Sequence, residues 1–206
     1  MAEVLKANID KIEKSDVLER LGLKERGYIL LSAHREENID IEANFFSLMN
    51  AVNAMAETYD MPILYSCHPR SKKFIEQRGF KFDKRVIQSQ PLGFFDYNKL
   101  QQNAFCVVSD SGTIPEEGAF FKFPAVSIRT STERPEALDK ACFVLAGIDE
   151  KSLLQAVDTA ILAKETNDTG IPVPDYVDEN VSTKVVKIIQ SYTGIVNKMV
   201  WRKDNN

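Results

Sequence analysis

Short apolar runs, five of the six followed by a stretch with helical spacing, constrain the fold of this 206-residue chain more than any other feature. The runs lie at 28–32, 62–67, 85–88, 105–108, 124–128 and 142–145. At four to six residues they are too short for helices, and several are apolar throughout, as strands buried on both faces are. Helical periodicity follows them over 42–59, 71–78, 94–103, 114–121 and 149–164, and in 42–59 it puts Phe45, Phe46, Met49, Val52 and Ala56 on one side. Alternation of this kind predicts an α/β fold, a doubly wound parallel sheet of about six strands. A further amphipathic helix is expected over 3–20, ended by Gly22, and another over 180–201. Asp149 is placed to cap the helix that follows it, and 167–178, rich in Pro, Asp and Gly, reads as a surface loop. With no repeat, low-complexity tract or linker, residues 1–206 read as one domain.

Charge and reactive side chains narrow the function. A net charge of −4 argues against a nucleic-acid or anionic-membrane surface. No apolar run approaches the ~20 residues of a membrane span. The sequence shows no charged-then-apolar leader, so a cytoplasmic location is expected. Cys67, Cys106 and Cys142 are far apart and fall in strand-like runs, which suits reduced core thiols. Two histidines, His34 and His68, make a histidine-rich metal site improbable, and no cofactor is expected.

In an open parallel sheet ligands bind at the carboxyl ends of the strands. That rule selects the loops 33–38, 68–70, 90–97, 109–113 and 129–134, where the polar residues also concentrate. The turn Ser109-Asp110-Ser111-Gly112-Thr113 joins a strand to a helix N-terminus, which suits an anion, because unpaired N–H groups and the positive end of the helix dipole point there. Thr113 and Glu116 match a capping box, with Pro115 in the first turn. A well-capped helix explains those three residues but not Ser111-Gly112, which removes bulk where an anion would approach. Glu117, about 100° around the helix from Glu116, is then available for a ribose diol.

The loop His34-Arg35-Glu36-Glu37-Asn38 puts a titratable ring and a guanidinium directly after a buried strand. A hydrated connection, with Asn38 or Asp40 capping the next helix, accounts for it equally well. Arg134, in Thr132-Glu133-Arg134-Pro135-Glu136, suits a phosphate or carboxylate, or an ordinary surface pair with a neighbouring acid. Phe94, Phe95 and Tyr97 fit an aromatic wall or a piece of core, and His68-Pro69 reads as a strand exit. Nothing resembles a Ser-His-Asp or Cys-His nucleophile system.

Taken together, 32–38, 110–117 and 131–136 resemble, in order and spacing, the non-hydrolysing UDP-N-acetylglucosamine 2-epimerases. The similarity runs over nearly the whole chain, and 91–97 with 180–201 look most like a bacterial subgroup that forms UDP-N-acetyl-L-fucosamine for capsule or O-antigen. The resemblance implies a glycosyltransferase-B-like fold of two Rossmann-like halves, with the active site in the cleft between them. This chain is then the C-terminal, nucleotide-sugar-binding half and Met1 the start of a piece of a longer protein. Residues 1–22 become the interdomain connection, and the helix over 180–201 crosses to the missing N-terminal domain.

Carried over by position, the resemblance gives Ser111, Gly112 and Thr113 to the diphosphate, Glu117 to the ribose, and Arg134 and Arg35 to the nucleotide-sugar. Tyr97 stands beside the nucleotide, and His34 matches the family's essential histidine, assisting departure and return of UDP. Two positions depart from the pattern: Glu36 stands where many relatives have arginine, and Thr113-Ile114-Pro115 replaces Gly-Ile/Val-Gln. The implied reaction inverts C2 of a UDP-2-acetamido sugar by elimination of UDP and its re-addition, in a full-length homodimer. The proton-abstracting base lies outside this chain, so the isolated domain is expected to bind UDP without turnover. A glycosyltransferase using the same half, and a non-catalytic domain sensing a nucleotide-sugar, are the alternative readings.

Overall fold

Every one of the six apolar runs forms a strand of a single all-parallel sheet in the computed structural model, which describes residues 1–168 and 172–203. The strands are β1 (Ile29–Ser32), β2 (Ile63–Ser66), β3 (Val86–Ser89), β4 (Cys106–Ser109), β5 (Ala125–Ser127) and β6 (Val144–Leu145). Their order is β3-β2-β1-β4-β5-β6, so the chain winds outward to β3, returns to the centre and winds the other way. The topological switch point falls between β1 and β4, which pair from Ile29↔Cys106 to Ser32↔Ser109.

The helices are α1 (Ala2–Glu13), α2 (Val17–Leu21), α3 (Glu36–Ile39), α4 (Glu42–Tyr59), α5 (Pro69–Gln77), α6 (Phe94–Asn103), α7 (Ile114–Phe121), α8 (Pro135–Asp139), α9 (Glu150–Glu165) and α10 (Val181–Met199), with a 3-10 turn at Pro174–Tyr176. Alternate strand residues feed two cores. Ile29, Leu31, Ile63, Tyr65, Cys106 and Val108 pack with Phe45, Met49 and Val52 of α4 and Leu153 and Val157 of α9. Leu30, Leu64, Val107 and Ala125 pack on the other face with Val17, Leu100, Ile114 and Ala137. This explains why the strands read as continuous apolar runs: each fully buried Leu, Ile or Phe contributes roughly 1.5–3 kcal/mol relative to exposure, and both faces collect it.

Several local expectations are corrected. The helix expected over 3–20 is two helices, because Ser15 turns out of the first to donate to Asp96 Oδ1 at 2.6 Å and to accept from the Val17 N–H at 3.3 Å. Gly22 ends the second in a left-handed conformation (φ 63°), as its C-cap. Neither Asn38 nor Asp40 caps the start of α4: Ile41 occupies its N-cap, Asn38 is buried, and Asp40 ends α3 as its C-cap and pairs with Arg70. Asp149 does cap α9, accepting from the Ser152 N–H at 3.0 Å. The loop expected over 167–178 contains the 3-10 turn, and its residues 169–171 lie outside the described ones.

Helix α10 differs from every other long element in having no buried residue. Val181, Val185, Ile188, Tyr192, Ile195 and Met199 recur at alternating spacings of four and three, and all are exposed. Among the described residues no helix is long and apolar enough to cross a membrane.

Candidate functional site

The loops leaving β1 and β4 stand side by side over the switch point, and one buried carboxylate ties them together. Asp110, directly after β4, is fully buried. Its Oδ2 accepts from the backbone N–H groups of His34 and Arg35, both at 2.8 Å, and from Asn38 Nδ2 at 3.2 Å. Its Oδ1 lies 3.1 Å from His34 Nδ1. Asn38 Nδ2 also donates to the Ile128 carbonyl at 3.0 Å, which draws in the end of β5. A charged group at the end of a buried strand is tolerated only with partners of this kind. The Asp110 hydrogen bond holds the His34 imidazole above its ordinary value, against partial burial and the Arg35 charge, which push it down. The His34 side chain keeps 44% of its surface exposed, so the ring is anchored at one nitrogen and open at its other edge.

Ser111, Gly112 and Thr113 follow, all half-buried. The Ser111 N–H donates to Ser109 Oγ at 3.0 Å, and the Ser111 and Thr113 hydroxyls are 3.0 Å apart. A Cβ added at Gly112 would meet nothing within 4 Å, and its φ lies outside the left-handed region. Neither packing nor backbone strain therefore explains the missing side chain, which leaves access to the turn as its use.

The expected capping box does not form. Thr113 takes helical angles (φ −94°, ψ −9°) and makes no side-chain cap. Its hydroxyl donates instead to Glu117 Oε1 at 2.9 Å, while Gln101 Nε2 donates to Glu117 Oε2 at 2.6 Å. Burial pushes the Glu117 carboxyl up, and these two donors partly offset it. A buried carboxylate needs donors more than a solvated helix end does, so it takes the threonine. Glu116, expected as the cap, accepts from Arg134 Nε at 3.0 Å.

Arg134 is presented by an ordered loop. The buried Arg129 guanidinium forks onto both oxygens of Glu133 and holds that carboxyl down to about 2. Thr132 Oγ1 accepts from the Arg134 N–H at 3.0 Å, and Arg134 stands at the N-cap of α8. In a second cleft beside it, Glu116, Arg134, Glu136 and Tyr176 meet the start of α10, with the Tyr176 hydroxyl donating to Glu136 at 2.7 Å.

His68, read from sequence as part of a strand exit, and Arg70, in the same selected loop, share the His34 loop's cleft. His34, Arg35, Glu36, Glu37, His68 and Arg70 line a cleft of about 430 Å³, with the two imidazole centroids 6.1 Å apart. His68 is more than a strand exit: it caps α5, its Nδ1 accepting from the Arg70 N–H at 3.2 Å. Arg70 Nη1 bonds Glu36 at 2.7 Å, so the acid that departs from the family pattern comes with its own cation. Arg35 Nε donates to Glu37 at 2.9 Å. Of the aromatic wall, Phe94 and Phe95 are exposed, while Tyr97 is half-buried below the strand ends, its phenol interacting with Ser32 and Ser109.

The sequence model of the family described as "UDP-N-acetylglucosamine 2-epimerase" matches residues 1–190. A UDP-N-acetylglucosamine 2-epimerase of Methanocaldococcus jannaschii is 31% identical over 141 residues, 66% of this chain and 38% of its own. The structure of UDP-N-acetylglucosamine 2-epimerase from Rickettsia bellii superposes with a TM-score of 0.83 at 38% identity, covering 98% of this chain and 54% of that one. A Methanocaldococcus jannaschii UDP-GlcNAc 2-epimerase in complex with UDP-GlcNAc and UDP shares the fold, with a TM-score of 0.79, 24% identity, and coverage of 92% and 52%. The chain thus spans about half the length, or less, of these relatives. With the family's sequence model matching residues 1–190 and the fold shared throughout, the chain belongs to the UDP-N-acetylglucosamine 2-epimerase family.

Proposed function

We propose that this chain is the nucleotide-binding half of an enzyme that inverts C2 of a UDP-2-acetamido sugar, and that UDP lies across the β1/β4 switch point. The turn after β4 takes the diphosphate, with Ser111 and Thr113 hydroxyls and the N-terminus of α7 as donors. Glu117 accepts from the ribose, and Arg134 and Arg35 carry the countercharge. His34 stands beside the leaving phosphate, where an imidazolium stabilises the UDP that departs and returns. Tyr97 supports the strand ends under the nucleotide. The observation that carries this reading is Asp110, which brings the histidine loop and the phosphate turn together in one hydrogen-bonded unit. The complex of the Methanocaldococcus jannaschii UDP-GlcNAc 2-epimerase with UDP-GlcNAc and UDP supports the choice of nucleotide.

The elimination needs a base at C2, and we assign it to an N-terminal half that this chain lacks. α10 crosses to that half and lays its apolar stripe on it, and the full-length protein is a homodimer. The 206-residue chain alone binds UDP and turns nothing over. The subgroup motifs at 91–97 and 180–201 favour a role in capsule or O-antigen sugar synthesis.

Calorimetry with UDP tests the site. Wild type should bind, and Ser111→Trp, which fills the turn, should lose at least ~100-fold in affinity, the worth of two charge-assisted hydrogen bonds. Equal affinities would remove the phosphate-turn assignment.

A further inference from the structure

The chain has two histidines, His34 and His68, and their hydrogen bonds call for opposite tautomers. Asp110 Oδ1 is buried and has no hydrogen-bond partner of ordinary geometry among the described residues, and the nearest ring nitrogen, His34 Nδ1, lies 3.1 Å away, an approach that is favourable only if that nitrogen carries the proton. His68 Nδ1 receives the Arg70 N–H at 3.2 Å, so that nitrogen must be bare and the proton must sit on Nε2. The rings are 6.1 Å apart in one cleft.

We propose that Asp110 is a positioning residue for the epimerase reaction, fixing His34 as the Nδ1–H tautomer so that Nε2 alone is offered to the departing UDP, while His68 is held in the opposite tautomer as a fixed donor. A neutral His34 then has an acceptor at Nε2, and a protonated one has a donor there whose positive charge Asp110 offsets. His68 keeps a donor at the same edge, and its capping bond to Arg70 would be lost on protonation. The two rings therefore have different work, although both follow strand ends and both line one cleft.

The groups that bear on His34 come from every neighbouring element. Arg35, Glu36 and Glu37 lie on its own loop and α3, and His68 and Arg70 at the start of α5. Asp110 comes from the turn after β4, and Arg129 from the end of β5, where its charge reaches Asp110. Arg70 is engaged by Glu36 and Asp40, and Arg129 by Glu133, which leaves Asp110 as the acid that approaches the ring, at 3.1 Å.

The inference rests on the UDP reading only for what Nε2 faces, and its test separates the two. Long-range 1H–15N spectra of the ring-labelled 206-residue chain give one pattern per histidine. Wild type should show one Nδ1–H ring, assigned to His34 by its loss in His34→Gln, and one Nε2–H ring. In Asp110→Asn the three N–H donors pin the amide oxygen, the NH2 faces His34 Nδ1, and that ring should flip to Nε2–H. Its titration midpoint should fall by about one pH unit or more. A wild-type His34 found as Nε2–H overturns the proposal, and needs no variant to fold. An Asp110→Asn protein with unchanged tautomer and midpoint also overturns it. Tautomers as stated, with UDP moving neither ring, support Asp110 and remove the UDP reading alone.

Discussion

The crevice over β1 and β4 and the surface of α10 are built on opposite terms. In the crevice, polar groups that look costly one by one find partners: Asp110 Oδ2 takes two backbone N–H groups and Asn38, with His34 3.1 Å from Oδ1, Glu117 takes Gln101 and Thr113, and Arg134 takes Glu116. On α10, apolar groups that would gain from burial have none: Ile188 and Ile189 are each 59% exposed and Met199 71%. The first region's charged groups find most of their partners within this chain. The second presents an apolar stripe with no buried residue, on a chain about half as long as its relatives.

The largest effect that can break this contrast is on stability. Ile63, fully buried in β2, should cost about 2–5 kcal/mol on Ile63→Ala. Ile189→Ala on α10 should change the unfolding free energy from urea titration by less than ~0.5 kcal/mol, because no cavity forms and alanine favours the helix. A large loss at Ile189 would show that α10 is packed on this domain in solution.

The next effect separates binding from folding inside the crevice. Because burial raises the Glu117 carboxyl, its charge opposes the unliganded fold, and the proposed function gives that charge to the ribose. Glu117→Gln should leave the melting temperature unchanged or raise it, and weaken UDP about 10–100-fold in calorimetry. A variant that unfolds while keeping UDP affinity would make Glu117 a structural residue.

The smallest effect is a pH dependence. His34 is raised in the folded chain, so its pair with Asp110 contributes fully below about pH 6.5, the ordinary histidine value, and the contribution is lost as pH rises through the folded value. The half-exposed ring is screened, which limits this to less than ~1 kcal/mol. Denaturant midpoints of wild type and His34→Gln across that window should converge on the alkaline side.

Much of this fold is legible in one dimension because its elements are set by local periodicity. The six strands, α4, α7 and the left-handed Gly22 cap all fall where spacing and turn chemistry place them. What sequence could not show are pairings between distant positions. Ser15 breaks the first helix because of Asp96, 81 residues away, and His34 is anchored by Asp110, 76 residues away. Glu116 fitted a local capping rule and was taken by Arg134, and Thr113 by the buried Glu117. A charged residue directly after a four-residue apolar strand was the available sign of Asp110's role, since such a group is retained only when bonded.

A titration of the 15N-labelled chain with UDP, followed by backbone amide shifts, tests the central claim most directly. The account predicts saturable changes at 34–38, 93–97, 109–117 and 129–134, with α10 silent. Changes centred on α10, or none in the turn after β4, would contradict it.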